Sequence, residues 1–90
     1  MQEHRTLKGH AIVVVDRGFV YVGTVEVDED WCIITNASNI RIWGTKRGLG
    51  QLAIDGPQPD TKLDPSGTVR VPIRALVSLI DTEVSKWTTG

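Results

Sequence analysis

The sequence predicts a small, mainly β domain of five or six short strands, with one short helix inserted near residues 48–55. Three observations lead to this class: β-branched and aromatic residues recur in short alternating runs, turn-forming segments separate those runs, and one stretch near Leu49 changes to helical spacing. Ninety residues suit a single domain spanning 1–90, with residues 1–9 flexible. A chain of this length buries only about 60–65% of the surface that its unfolded form exposes, so we expect homo-oligomerisation to supplement a thin core.

The first two strands are predicted to form a hairpin. The apolar runs Ala11–Val15 and Phe19–Val27 flank Asp16-Arg17-Gly18, where the glycine takes a positive φ angle at low steric cost. The segment Phe19–Val22 is apolar on both faces. In so short a chain that pattern requires a closed barrel, an extra covering segment or another subunit.

Two more strands are predicted to follow the hairpin as a meander. Trp31–Thr35 is rich in β-branched and aromatic residues, and the apolar pair Ile40 and Ile42 continues the alternation. Between them, Asn36-Ala37-Ser38-Asn39 supplies side chains that favour a turn. We therefore expect the chain to reverse between these two strands.

The inserted helix is predicted from a change of spacing. The glycine-rich segment 44–50 breaks the strand alternation, and Leu49, Leu52 and Ala53 then recur at helical intervals. The helix cannot extend past Asp55, because Gly56-Pro57 and the proline that follows at position 59 disfavour helical geometry.

The last third of the chain predicts two further strands. Lys62–Gly67 has the proline and glycine of a turn, and Thr68–Val71 then alternates as a strand. We expect a one-turn break at Pro72–Arg74 and a strand after it. Because apolar residues within 73–87 also fit a helical stripe, a terminal helix is the alternative.

Charge and cysteine content exclude several classes of protein. A net charge of −1 argues against a protein that coats nucleic acid non-specifically. Glu26 and Asp28-Glu29-Asp30 form an acidic cluster of the kind usually found in a solvated turn. The single cysteine, Cys32, excludes an intramolecular disulfide and is predicted to be a small buried hydrophobe. With no apolar run long enough to span a membrane and no signal-peptide core, we expect a soluble, cytoplasmic protein.

Candidate binding residues concentrate between Ile34 and Pro57, a stretch without a carboxylate before Asp55. A glycine-rich turn that leads into a helix collects unpaired backbone N–H groups, which favour an anion. On the preceding strand, Arg41 and Trp43 share a face and suit a phosphate and a base respectively. The candidate ligand-binding residues are Asn36, Asn39, Arg41, Trp43, Thr45, Lys46, Arg47, Gly48 and Gly50.

A purely structural interpretation of the same residues is also open. Gly48 and Gly50 can serve only to close a loop, with Thr45 as the helix N-cap, and a tryptophan in a small domain often belongs to the core. The segment lacks the GK[ST] order of a P-loop.

Catalytic and metal-binding interpretations are disfavoured. His4 and His10 lie in or near the N-terminus, no acid and base have a recognisable spacing, and no serine has the context of a nucleophile elbow. Two histidines without cysteine partners do not suggest a zinc site. The sequence therefore predicts a non-enzymatic protein without cofactor or metal.

The strand pattern resembles the small SH3-like or Sm-like β-barrels over Ile12–Val27, Trp31–Trp43 and Val69–Val84. The helix near 48–55 departs from the simplest form of those barrels. The resemblance implies assembly into dimers or rings, while fold likeness alone says little about function.

Residues 33–72 also resemble small proteins of tailed bacteriophages and prophages, through ITNASNIRIWGT, GLGQLAIDGP and LDPSGTVRVP. That resemblance implies a phage context, and small phage proteins that oligomerise and bind anionic ligands include anti-defence sponges. Together with the candidate binding residues, this context leads us to expect a sponge that sequesters a cyclic nucleotide or an immune signal derived from ADP-ribose in the bacterial host cell. One alternative is an Sm-like RNA-binding protein. The other is a structural or host-protein-binding module that uses Phe19–Val22 and Trp87 as interfaces.

Overall fold

The computed structural model describes residues 7–87. Its strands are β1 (Leu7–Val15), β2 (Val20–Val27), β3 (Trp31–Ile42), β4 (Lys62–Pro72) and β5 (Leu76–Asp81); its helix is α1 (Leu49–Asp55); and three 3-10 turns cover Asp16–Gly18, Ile73–Ala75 and Val84–Lys86. Of the segment expected to be flexible, residues 7–9 belong to β1, and residues 1–6 lie outside the described part.

The five strands form one antiparallel sheet in the order β4-β3-β2-β1-β5. A mainly β fold with five strands and one short helix is therefore confirmed. The two edge strands, β4 and β5, are joined directly by the turn Ile73–Ala75, yet they do not pair with each other within residues 7–87. The sheet stays open at that point, so the ladder is not that of a closed barrel.

The predicted hairpin and the terminal strand are both confirmed. β1 pairs with β2 from Leu7 opposite Val27 to Val14 opposite Val20. At the turn between them, Arg17 and Gly18 have φ angles of 64° and 84°, in the left-handed region that allows so short a reversal.

The meander predicted after the hairpin is wrong in one respect, because Trp31–Ile42 is a single continuous strand. Asn36 takes a φ of 52°, and the pairing of β3 shifts register near it, with both β2 and β4. Asparagine tolerates this conformation, and here it makes a bulge instead of a turn. Gly23 lies against the bulge, where an added Cβ would be 2.8 Å from Ile34 Cγ2.

The turn predicted at Lys62–Gly67 is also wrong, because a continuous strand runs through it. That segment lies inside β4, and Gly67, with a φ of 72°, marks a further shift of register opposite Ala37. Glycine and proline thus mark irregular strand positions in this chain as well as turns.

Each face of the sheet carries one cluster of buried apolar residues, centred on β1–β3. One cluster contains Ala11, Val13, Val15, Val25, Cys32, Ile34, Ala37 and Val71, and the other contains Ile12, Val20, Val22, Ile40, Leu52 and Ala53. Successive β1 residues therefore point into different clusters, as the pleat requires. Of the three explanations for an apolar β2, the structure supports a covering segment, because Leu52 and Ala53 of α1 pack on Val20 and Val22.

Cys32 is fully buried in the first cluster, as predicted, and burial raises the pKa of its thiol. The C-terminal segment covers α1 and the second cluster. Trp87 packs against that cluster and donates from Nε1 to the Ala53 carbonyl at 3.4 Å, and the Glu83 amide donates to the same carbonyl at 2.8 Å. Among the described residues, no helix is long and apolar enough to cross a membrane.

Candidate ligand-binding surface

The C-terminal end of β3 presents a cation and two large apolar side chains to solvent. Ile42 and Trp43 are 47% and 42% exposed, and the Arg41 side chain is 59% exposed. Arg41 belongs to β3, and Trp43 directly follows the last residue of that strand. The sheet therefore fixes the backbone from which these side chains extend. We call Asn39, Arg41, Trp43 and the loop residues 45–48 the Trp43 surface.

Arg41 is held by a carboxylate of the neighbouring strand. Its Nε donates to Asp64 Oδ2 at 2.8 Å and its Nη2 donates to Asp64 Oδ1 at 3.4 Å. This two-point contact fixes the plane of the guanidinium and uses one edge of it. The edge formed by Nη1 is the one that a phosphate could approach.

Trp43 is positioned through its backbone and by the loop that follows. Its carbonyl accepts a hydrogen bond from Thr61 Oγ1 at 2.6 Å, and its ring lies beside Gly48, where an added Cβ would be 4.0 Å from Cζ3. Between them, Gly44 has a φ of 66°, and a Cβ there would be 2.4 Å from the Asp60 backbone. Glycine is therefore required for the chain to turn away from the sheet at this point.

Two backbone amides of the loop, those of Lys46 and Arg47, are already engaged within the chain. Gln51 Oε1 accepts hydrogen bonds from the amides of Lys46 and Arg47 at 3.2 and 2.9 Å. The N-cap of α1 is Gly48 and not Thr45, whose hydroxyl instead donates to the Gly48 carbonyl at 3.0 Å. An anion at these amides would have to displace the Gln51 carboxamide.

The stretch without carboxylates in the sequence is partly neutralised in space. Asp64 reaches Arg41 from β4, and Asp55 Oδ2 lies 3.7 Å from Nη2 of Arg47. Both ion pairs are exposed and are screened by salt. The electrostatic potential at this surface is therefore less positive than the absence of acids from residues 34–54 suggested.

The two asparagines are separated by the fold. Asn39 is half-buried and donates from Nδ2 to the Val20 carbonyl at 3.3 Å, two residues from Arg41. Asn36 is exposed at the bulge, about 23 Å from Trp43 along an extended strand at roughly 3.3 Å per residue. The structure thus brings Asn39, Arg41, Trp43 and residues 45–48 to one end of β3, places exposed Gly50 in the first turn of α1, and leaves Asn36 apart.

Sequence reasoning missed three residues that shape this surface: Gln51, Asp55 and Asp64. Asp64 lies 23 residues from Arg41 and meets it only through the β3–β4 register, which shifts twice between Ile34 and Ser38. A signal existed for Gln51, since a side-chain amide just inside a helix can accept from loop amides that precede it.

The histidines and acidic residues do not form a metal site in the part of the chain that the structure describes. His10 lies in β1, where Nδ1 is within hydrogen-bond distance of Thr82 Oγ1 and the ring packs at 5.6 Å from that of Trp87. His4 lies outside residues 7–87.

Comparisons with protein-family models, with curated proteins and with solved structures gave no match for this chain. Any statement about function therefore rests on the chemistry of its own surfaces.

Proposed function

We propose that this chain is a non-enzymatic protein that binds and sequesters a nucleotide-derived signal at the Trp43 surface. The ligand class is a cyclic nucleotide or an ADP-ribose derivative, and the setting is anti-defence by a phage in its bacterial host. The observation that carries the proposal is the exposed Trp43 indole, two residues from an Arg41 guanidinium whose orientation is fixed by Asp64.

Each part of such a ligand has a matching group at this surface. The Trp43 indole offers a flat apolar face, and stacking of one base on an aromatic ring contributes about 1–3 kcal/mol. Arg41 offers the remaining edge of its guanidinium to a phosphate, and Lys46 and Arg47 add cations from the loop. Thr45 and Asn39 supply polar groups for a ribose or a base edge.

The surface is open, which favours binding between subunits. A single chain of this size presents a shallow site, whereas a second copy could cover the other face of a stacked base. Homo-oligomerisation is therefore part of the proposal. The apolar pair Val20 and Val22 is buried under α1, so an oligomer interface would use other residues.

A single-stranded RNA is the second candidate ligand. Lys62 is exposed and lies opposite Ile42 in the β3–β4 ladder, which extends the cationic character of this end beyond the loop. A strand could follow Lys62, Arg41 and Lys46 while one base stacks on Trp43.

Equilibrium titration of cyclic dinucleotides, cyclic trinucleotides and ADP-ribose derivatives into wild-type protein tests the proposal. Trp43→Ala and Arg41→Ala should each weaken binding by about tenfold, the equivalent of about 1.4 kcal/mol. Arg70→Ala, which removes an exposed arginine of β4 near the other end of the β3–β4 ladder, should leave affinity unchanged. If Trp43→Ala and Arg41→Ala both retain wild-type affinity, the surface is not the binding site.

The salt dependence of affinity separates the two ligands. For a single-stranded RNA, log K should fall by about 0.7 per neutralised phosphate for each log unit of salt. A mononucleotide-sized signal neutralises fewer phosphates and should give a shallower slope.

A further inference from the structure

A second concave surface lies at the opposite end of β3, between the β2–β3 turn and the turn that follows β4. Its cavity of about 520 Å³ is lined by Glu29, Asp30, Trp31, Pro72, Ile73 and Arg74. We call it the Trp31 cleft. Its volume falls within the range of roughly 300–1,000 Å³ that is typical of ligand sites.

The two walls of the cleft are tied together by the backbone. Trp31 pairs with Pro72 in the β3–β4 ladder, and the Ile73 amide donates to the Asp30 carbonyl at 3.0 Å. The 3-10 turn Ile73–Ala75 is thereby fixed against the acidic turn. The cleft is preformed, so binding would not require ordering of either wall.

Asp28 organises the acidic wall. Its Oδ1 accepts hydrogen bonds from the amides of Asp30 and Trp31 at 2.9 and 2.8 Å, and its own amide donates to the Trp31 carbonyl at 3.0 Å. These bonds lower the pKa of the Asp28 carboxyl, the bond from Trp31 contributing most. The acidic cluster of the sequence is therefore an ordered turn that places Asp30 and Trp31 at the rim.

The lining combines an aromatic face with a carboxylate beside it. Trp31 is 43% exposed, Pro72 and Ile73 add apolar surface, and Asp30 lies next to Trp31 at the rim, with the Arg74 guanidinium also in the lining. An indole attracts a cation over its face, and carboxylates strengthen that preference.

We infer that the Trp31 cleft binds a lysine or arginine side chain of an extended segment from a partner protein. The cationic head lies against the indole and Asp30, while the aliphatic stem packs on Pro72 and Ile73, as these long side chains do on apolar surfaces. The cleft is open on one side, so the partner's backbone can pass across it.

This site is independent of the Trp43 surface. The two lie at the two ends of β3, which spans about 36 Å if extended at roughly 3.3 Å per residue. Their charge preferences are opposite, since one favours an anion and the other a cation. Failure of nucleotide binding would leave this inference unaffected, and the reverse also holds.

Selection of random dodecapeptides on the immobilised protein tests the inference. Selected peptides should share a lysine or arginine beside apolar residues, and replacing that residue by norleucine or citrulline should weaken binding about tenfold. Trp31→Leu, which keeps an apolar side chain but removes the aromatic face, should cost a similar factor. Because Trp31→Leu could also perturb β3, Asp30→Asn serves as a second variant on the rim and should weaken binding several-fold.

Two further variants test how charge at the cleft affects peptide affinity. Arg74→Ala removes the competing guanidinium and should tighten peptide binding, whereas Asp60→Asn, an exposed carboxylate beyond the far end of β3, should leave it unchanged. The inference is overturned if no peptides are selected, if they lack a cationic residue, or if folded Trp31→Leu and Asp30→Asn both bind them as wild type does.

Discussion

Truncation of Leu52 to alanine tests whether α1 really covers the second face of the sheet. The Leu52 side chain is fully buried against Ile12, Val20, Val22 and Ile40. Removing a leucine side chain from such a site lowers the free energy of unfolding by about 2–5 kcal/mol, from the lost transfer energy and the cavity left behind. For a domain of this size, about 3 kcal/mol corresponds to a fall in Tm of roughly 12–24 °C.

Ile54→Ala on the same helix is the matched control. Ile54 is 65% exposed, so its truncation should change the free energy of unfolding by less than about 0.5 kcal/mol. Urea denaturation followed by circular dichroism measures both variants. If Leu52→Ala proved no more destabilising than Ile54→Ala, α1 would not be packed on the sheet, and the two-faced β2 would require another subunit after all.

Three further predictions concern the loop, the ion pair and the pH dependence. Gly44→Ala should destabilise by more than about 2 kcal/mol, because its Cβ would be 2.4 Å from the Asp60 backbone, whereas Gly50→Ala, with open space around it, should stabilise by about 0.5–1 kcal/mol in thermal unfolding. Asp64→Asn should tighten nucleotide binding about fivefold at low salt, because the side-chain amide still offers an oxygen that can hold Arg41 while the negative charge that repels a phosphate is lost; an unchanged or weaker affinity in titration calorimetry would contradict this. Burial lowers the pKa of His10, so the unfolded chain binds this proton more readily than the folded chain does. The folded protein therefore keeps its full stability above the ordinary histidine pKa of about 6.5 and loses stability as pH falls below it. His10→Gln should therefore show a shallower fall in Tm between about pH 7 and pH 5, and an identical profile would show that His10 does not contribute.

Local signals in the sequence were sufficient for several elements. The hairpin follows from Asp16-Arg17-Gly18, and the end of α1 at Asp55 follows from Gly56-Pro57. Local rules also favoured a break at Pro72–Arg74 and a strand beyond it, but they left a terminal helix open. In each case the deciding residues are neighbours in the chain, so their conformational preferences act without help from the fold.

Other features depended on contacts that the sequence does not display. Asn36 favours a turn in isolation, but pairing with β2 and β4 on both sides keeps β3 continuous and reduces the turn to a bulge. The same pairing brings Asp64 to Arg41, which partly neutralises a segment that contains no acid of its own. The Trp31 cleft forms where the β2–β3 turn meets the turn after β4, and these two turns lie about forty residues apart in the chain.

Native mass spectrometry of freshly purified protein is the most direct test of the proposed sequestration. The protein would be measured before and after incubation with cyclic dinucleotides, cyclic trinucleotides and ADP-ribose derivatives, beside the Trp43→Ala variant. We expect a stoichiometric mass shift on a defined oligomer of the wild-type chain and its loss in the variant. An oligomer that binds none of these compounds, or a mass shift that persists in Trp43→Ala, would contradict the proposed function at this surface.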